Sequence, residues 1–466
     1  MRTLIRQRVF GRLRARARQS PLAKDVALPV QELIRVEQTA AVPLLVGALT
    51  AIVWVNSPWR ATYTSFWGAT LSLDLGIVAY EDDLAHWVSN LLMPLFFFVI
   101  GLEIKREIVH GILRQPSLSA LPIATAIGGV VVPILIYFLI DASAGASSAW
   151  GVVVATDIAF ALAVLRLAGG KIPATLATLI LAFAIIDDAI GVLIIAIFYS
   201  SDVSLGALGM VALFLGLIVL CRRFGIWSLT VYLILGCASW IAMVDSGIHP
   251  TILGVALGLL TPVKPLFRRT EATDLIAHVS QRLQAMEDKR AAASRGSVEF
   301  QRLEEKEETI FGYLEIAIAG SEAPAERLIR WLNPWVGYLV LPVFALANAG
   351  VDLSPDALRT ATESRTGWAT VAALVIGKPI GIALFAIAAL RLGLARLPRG
   401  LGVRHIGAMG VVGGIGFTVS LFIADLALSG SEQLDAVKLA VLAASLFAGV
   451  AGWMLLRLVG AERALA

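Results

Sequence analysis

The chain is poor in charge and almost free of cysteine. Only 15% of its 466 residues are Asp, Glu, Lys or Arg, where soluble domains carry about 25%. A chain so apolar is not disordered, and its net charge of +4 does not describe a nucleic-acid-binding surface. Cys221 and Cys237 both lie inside apolar runs, so there is no disulfide framework and no cysteine metal site. The five histidines are scattered, and no two are spaced as metal ligands. What the chain has instead is apolar length: 58% of its residues are hydrophobic and its mean hydropathy is +0.82. That is the composition of a polytopic, all-α membrane protein.

Apolar runs near the length of about 20 residues that a spanning helix needs fall at 38–56, 84–104, 118–140, 149–166, 173–199, 204–221, 226–244, 247–262, 334–350, 366–390, 403–424 and 436–457. Twelve spans put both termini on one side. With that side cytoplasmic, the inside segments hold 33 Lys/Arg and the outside loops only four, Arg60, Arg359, Arg365 and Lys438. Such an excess of inside cations supports both the span count and the orientation. The expected organisation is a basic cytoplasmic arm (1–37), spans one to eight (38–262), a charged cytoplasmic insert (263–332), spans nine to twelve (333–458) and a cytoplasmic tail (459–466).

The arm has eight Lys/Arg and no acid in its first 24 residues, which suits contact with anionic lipid headgroups. Its first apolar run is long and has no small-residue cleavage site, so it reads as a signal-anchor helix rather than a signal peptide. Residues 264–330 hold 23 of the chain's 72 charges, with signs alternating among good helix formers, as in a solvated helical excursion. Between the first two spans, Thr70-Leu71-Ser72-Leu73-Asp74-Leu75 alternates with period two between Gly68 and Gly76, and a small external hairpin is expected there. A two-stranded ribbon of that kind usually needs a partner.

A charge at mid-bilayer costs at least about 2.5–3.5 kcal/mol, so each one calls for a reason. Four stand out: Asp157, Asp187, Asp188 and Lys378. Asp187 and Asp188 sit amid LILAFAIIDDAIGVLIIAIF. Neighbours on a helix point about 100° apart, so the two cannot both face one partner, yet they can flank one polar cavity. Carboxyl groups so close in a low dielectric do not both ionise easily, which suits an exchange of proton for cation. Asp157 follows Ala155-Thr156 where small and polar residues interrupt an apolar run, so Thr156 and Asp157 mark a possible helix break with carbonyls open to a cation. Lys378, between Gly377 and Pro379, has no acid in its own span and needs a counter-charge from another helix; the Asp187/Asp188 pair is the natural candidate.

A second break is expected at Gly413, Gly414 and Gly416 before Thr418. The two breaks fall in the middle members of two three-span groups, 118–199 and 366–457, a pattern that points to an inverted-repeat transporter. Weaker signals are Glu103 in GLEIKRE, His249 in SGIHPT and Arg330, which remain regulatory candidates. A sodium symporter of organic anions, with Lys378 facing the anion, is the nearest alternative. An intramembrane aspartyl protease needs its two aspartates on facing helices; the adjacent pair and Lys378 argue against it, and no enzymatic activity is expected.

ATDIAFAL (155–162), AIIDD (184–188), SGIHPT (246–251), LPVFALANAG (341–350), GKPIGI (377–382) and GGIGFT (413–418) together resemble the NhaA family of sodium/proton antiporters. The resemblance implies crossed, interrupted helices in the fourth and eleventh spans, and electrogenic exchange of one Na⁺ or Li⁺ for two H⁺. It implies no cofactor beyond the transported ions, a bacterial inner-membrane location, and a homodimer joined through the external hairpin. It implies Na⁺ bound at Asp188 and Asp187, Asp157 and Thr156 at the helix break, and Lys378 paired with Asp187. Three features depart from the family pattern. Ser89-Asn90 stand where Asn-Asp is usual, and Ile329, Arg330 and Asn333 stand near positions where relatives can carry Glu and His. The 264–330 excursion is also long, so the residues that would sense pH are not carried over.

Overall fold

The computed structural model describes residues 29–74, 79–142, 148–169, 172–200, 203–224, 226, 229–265, 279, 281–285, 322–398 and 400–462. Most of the basic arm and of the charged insert, with His278, lies outside them. The described chain is helical, with one short hairpin. Its helices are α1 (Pro29–Val55), α2 (Arg60–Trp67), α3 (Leu84–Val109), α4 (Pro116–Ile140), α5 (Ile158–Ala168), α6 (Ala174–Phe198), α7 (Leu205–Arg223), α8 (Leu229–Val244), α9 (Thr251–Leu260), α10 (Pro324–Asn348), α11 (Pro355–Glu363), α12 (Arg365–Arg391), α13 (Val403–Gly413), α14 (Phe417–Leu428) and α15 (Gln433–Glu462). Among the described residues eight helical segments are long and apolar enough to cross a membrane, or ten when two bent pairs count as one span each. The pairs are α1 with α2, bent by 119°, and α13 with α14, bent by 43°. The protein is therefore a multi-pass membrane protein.

Two differences from the sequence expectation have local causes. Helix α10 starts at Pro324 rather than near 334, because an amphipathic turn rich in charge (PAERLIR) precedes its apolar part, and Pro suits a helix's first turn. The hairpin is longer than the alternating stretch alone: β1 (Thr70–Asp74) pairs antiparallel with β2 (Ala79–Asp83), Leu71 opposite Asp82 and Leu73 opposite Tyr80. The second strand, Ala79-Tyr80-Glu81-Asp82-Asp83, ends in three consecutive acids with no apolar alternation, so period-two hydropathy marks only one of the strands.

By contacts the chain divides into two compact units. The first comprises Met1–Leu92, Ala120–Gly191 and Asn333–Ala466; the second comprises Met93–Ser119 and Val192–Leu332. In the second, Val211, Met243 and Leu253 form a small core with Leu215, Trp240 and Ile252 around it. There α3 and α9 approach to backbone contact: a Cβ on Gly254 would lie 2.2 Å from the Pro94 carbonyl oxygen. In the first unit α4 and α12 cross equally closely, since a Cβ on Gly381 would lie 2.0 Å from the carbonyl oxygen of Gly128.

Among the described residues three helices widen into a π turn, at Val88–Leu92, Val336–Val340 and Ala373–Gly377. Each is followed by a residue and then a proline: Met93-Pro94, Leu341-Pro342 and Lys378-Pro379. Proline has no N–H and its ring crowds the carbonyl four residues back, and one extra residue in the turn relieves both problems. The insertion also rotates everything after it by about 100° about the helix axis.

Candidate functional site

The residues that matter lie in the first unit, around two helix interruptions. Before α5, residues 149–153 form a 3₁₀ turn and 155–157 are extended. Between α13 and α14 the helix stops at Gly414 and resumes at Phe417. Irregular backbone at membrane depth must find its hydrogen bonds within the protein. Here the two interruptions supply them to each other.

Asp157 ends the extended stretch with φ −84° and ψ 105° and caps α5, its Oδ1 accepting the Phe160 N–H at 3.0 Å. Its Oδ2 accepts from the Thr418 N–H at 3.2 Å and from the Thr418 hydroxyl at 2.6 Å. The Asp157 N–H donates to the Ile415 carbonyl at 2.6 Å, and the Thr156 hydroxyl donates to the Gly413 carbonyl at 2.9 Å. The Ser420 hydroxyl closes the set on the Val152 carbonyl at 2.7 Å. One carboxylate thus serves the first turns of two helices, where free N–H groups favour negative charge.

Lys378 reaches this assembly from α12. Its Nζ lies 2.8 Å from Asp187 Oδ2 and 2.5 Å from Thr156 Oγ1, so the ammonium joins α6 to the first interruption. The π turn Ala373–Gly377 directly precedes it and sets the face on which it emerges. Lys378 and Asp187 are 0% exposed and Asp188 is 2% exposed. Oδ1 of Asp187 is buried with no hydrogen-bond partner among the described residues. Apolar packing closes the site: the Phe160 and Phe417 rings meet edge to face at 4.9 Å, and a Cβ on Gly413 would lie 2.8 Å from Ile382 Cδ1. A Cβ on Gly414 would lie 2.6 Å from the Leu374 carbonyl oxygen. Gly416 has similar company, the Ser420 Oγ at 2.2 Å from where its Cβ would be.

Asp187, Asp188, Asp157, Thr156, Lys378, Gly413, Gly414, Gly416 and Thr418 therefore all fall within one unit. Lys378 bonds to Asp187; the adjacent Asp188 points elsewhere on the helix, as two neighbours must. The regulatory candidates Glu103, His249 and Arg330 belong to the second unit. Glu103 is buried on α3, where Lys105 donates to the Leu259 carbonyl. The His249 ring meets the Thr251 hydroxyl at 3.0 Å, and exposed Arg330 pairs with Glu322 at 2.5 Å.

Sequence reasoning passed over two groups in the first unit. Ser445 of α15 accepts the Phe417 N–H at 3.2 Å, and Lys438 of α15 pairs with Asp425 of α14 at 2.5 Å. Lys438, counted among the outside cations in the sequence, is 8% exposed, because α15 begins at Gln433 and carries it against α14. An acid and a lysine near the ends of successive apolar runs were the available signal. A serine inside an apolar run gives almost none.

The site's possible ligand atoms are oxygens, from three carboxyls, two threonines and carbonyls, beside one ammonium. Such a set suits hard cations and protons, and among the described residues it includes no soft ligand for a transition metal.

The sequence matches the family described as Na⁺/H⁺ antiporter 1 over residues 31–456. Among curated relatives, the Na⁺/H⁺ antiporter NhaA 2 of Sorangium cellulosum is 40% identical, the match covering 94% of this chain and 91% of that protein. The Na⁺/H⁺ antiporter NhaA of Bordetella petrii is 38% identical, with 91% and 89% covered. The Na⁺/H⁺ antiporter NhaA of Oleidesulfovibrio alaskensis is 36% identical, with 94% and 95% covered. With matches that run through every motif of the site and nearly the whole of each protein, the chain belongs to the Na⁺/H⁺ antiporter 1 family, whose members are transporters rather than enzymes.

Proposed function

We propose that the protein is a secondary antiporter that exports Na⁺ or Li⁺ in exchange for protons, the two ions competing for the same buried carboxyls. One observation carries the proposal: Asp157, Asp187 and Asp188 are all buried within one unit, and the buried ammonium of Lys378 bonds to Asp187. Uncompensated charge at such depth is costly, so further positive charge has to come from a bound cation or from protons. Asp157 is occupied by helix starts, which leaves Asp187 and Asp188 as the groups to be shared. Cation binding then expels protons and protonation releases the cation, so coupling needs no separate device. An exchange of two H⁺ for one Na⁺ makes transport electrogenic, in keeping with a pair of carboxyls at the site.

The same proposal takes the topology as twelve spans with both termini cytoplasmic, in a bacterial inner membrane. It counts the ten long or bent spans together with the shorter apolar helices Thr230–Val244 and Thr251–Leu260. The interrupted helices are the crossed helices of an inverted repeat. The β1–β2 hairpin joins two copies, and the basic arm contacts anionic lipid.

Everted vesicles loaded with a pH-sensitive dye test the proposal. Added Na⁺ or Li⁺ should dequench the dye between pH 6 and 9, more so with an inward-positive potential, and Asp188→Asn should abolish the signal while the protein still inserts. Dequenching at the normal rate in Asp188→Asn, or none in the parent at any pH, would overturn it.

A further inference from the structure

Helix α14 begins in the membrane with its first N–H groups free, and Gly416 before it has no side chain with which to cap them. Two neighbours do so instead. Asp157 takes the Thr418 N–H, and Ser445 takes the N–H of Phe417, the first residue of the helix. Ser445 comes from α15, an uninterrupted helix of 30 residues. It is the polar member of a stripe of small residues, Ser445, Ala448, Gly449 and Gly452, whose spacing puts all four on one helix face. That face lies against the interruption. A Cβ on Gly452 would lie 2.6 Å from Val412 Cγ2, the Ala448 Cβ is 3.3 Å from where a Cβ on Gly414 would be, and Gly449 is 3.9 Å by the same measure from Ile415 Cδ1.

We infer that Ser445 is a positioning residue for ion exchange: its hydroxyl fixes the height of α14 on the straight helix α15, and through Thr418 it fixes the carboxylate of Asp157. The inference rests on the exchange proposed above. The small residues let α15 come close without setting how far along its axis α14 sits, since van der Waals contact between smooth faces permits sliding. The hydrogen bond sets that distance. It is also neutral, so it holds the helix start without adding charge beside the carboxyls that must bind a cation. With Ser445 gone, Phe417 keeps a buried N–H with no acceptor one residue before Thr418, whose two bonds hold the Asp157 carboxylate, and the first turn of α14 adjusts locally to relieve it. That adjustment changes the oxygens offered around the interruption, and a cation is more sensitive to that than overall folding is.

Ser445→Ala removes the acceptor, Ser445→Cys replaces it with a weak one of similar size, and Ser445→Thr keeps the hydroxyl. The parent and the three variants are to be compared for Na⁺-dependent exchange in vesicles across pH 6 to 9, and for the Li⁺-induced rise in melting temperature of the purified proteins. In Ser445→Ala the apparent KM for Na⁺ should rise at least about 5-fold and at most about 160-fold, the worth of one buried donor left unpaired. The maximal rate should fall much less, the Li⁺ needed for half the melting shift should rise in parallel, and the pH midpoint of exchange should move. Ser445→Cys should lie between, and Ser445→Thr should restore most of the parent's KM. Lower melting temperature in Ser445→Ala with unchanged KM, Li⁺ dependence and pH midpoint would reduce Ser445 to a packing residue and overturn the inference. Where Ser445→Ala does not accumulate, Ser445→Cys decides by the same measures. A parent that does not exchange Na⁺ for H⁺ would instead refute the transport proposal, and the Li⁺ melting shift would still read Ser445.

Discussion

Replacing Lys378 with methionine keeps its length and removes its charge. In the structure the ammonium is fully buried, 2.8 Å from Asp187 Oδ2 and 2.5 Å from the Thr156 hydroxyl. The substitution therefore leaves the buried Asp187 carboxylate without its counter-charge, and removing one member of such a pair costs about 3–5 kcal/mol. Replacing both members by neutral groups costs far less, because the attraction within a buried pair is largely offset by the desolvation of its charges. Lys378→Met should accordingly lower the unfolding free energy in mixed micelles by about 3–5 kcal/mol, and adding Asp187→Asn should recover more than half of the loss. The four-protein cycle yields the coupling between the two positions directly. Asp188→Asn in the same background should recover less, since Asp187 holds the bond to Lys378. The reasoning fails if Lys378→Met costs no more than an exposed pair would, about 1 kcal/mol, or if Asp188→Asn rescues it as well as Asp187→Asn does.

Two further outcomes follow from other parts of the fold. Gly381→Ala drives a methyl into the Gly128 carbonyl, while Gly216 has no atom within 4 Å of the same position. The first should destabilise by about 3 kcal/mol or more and the second should be neutral or slightly stabilising, so equal melting temperatures would contradict the close crossing of α4 and α12. In the loop before α11, the Ser354 N–H, with Arg60 beside it, holds the Asp352 carboxyl below the usual carboxylate range. A lowered folded-state pKa contributes stability that is present above the ordinary value, about 3.9, and is lost as pH falls through the lowered one. Protection from hydrogen exchange at Leu353 and Ser354, taken relative to the intrinsic rate at each pH, should therefore hold at neutral pH and fall only below about pH 4. Asp352→Asn should abolish that acid step, and an acid step that persists in the variant would place its origin elsewhere.

The charged residues of the site are conspicuous in sequence because each interrupts an apolar run where charge is expensive. That logic marks Asp157, Asp187, Asp188 and Lys378 without any knowledge of the fold. The interruptions are legible too, from Ala-Thr-Asp in one half and clustered glycines in the other. The choice of Asp187 over Asp188 as the partner of Lys378 was not legible from spacing. It depends on the rotation of α12, which the π turn at Ala373–Gly377 alters, and hydropathy carries no mark of a π turn. Ser445 was invisible for a related reason: a lone serine costs an apolar helix little, and its use depends on a helix start 28 residues away in sequence. The outer contacts of the first unit are likewise non-local. The Asn56 side chain bonds both the Val351 carbonyl and the Leu353 N–H, and the Tyr63 phenol donates toward the carbonyls of Leu346 and Ala347. Neither Asn56 nor Tyr63 lies in a motif, and nothing local in the sequence pairs them with these partners.

A broken helix invites the idea of a hinge, but these two breaks are not free to bend. Separating them would cost the Asp157–Ile415 and Thr156–Gly413 bonds, both Thr418 bonds to Asp157, and the Ser420–Val152 bond together. Buried donors and acceptors stripped of partners cost about 1–3 kcal/mol each, far beyond thermal energy when five are lost at once. The interruptions are better regarded as a single knuckle, stiff across the join, whose parts travel as one body. Any flexing that the proposed exchange requires then belongs to the ordinary helices around it, and the oxygens of Asp157, Thr156 and Thr418 keep their mutual spacing.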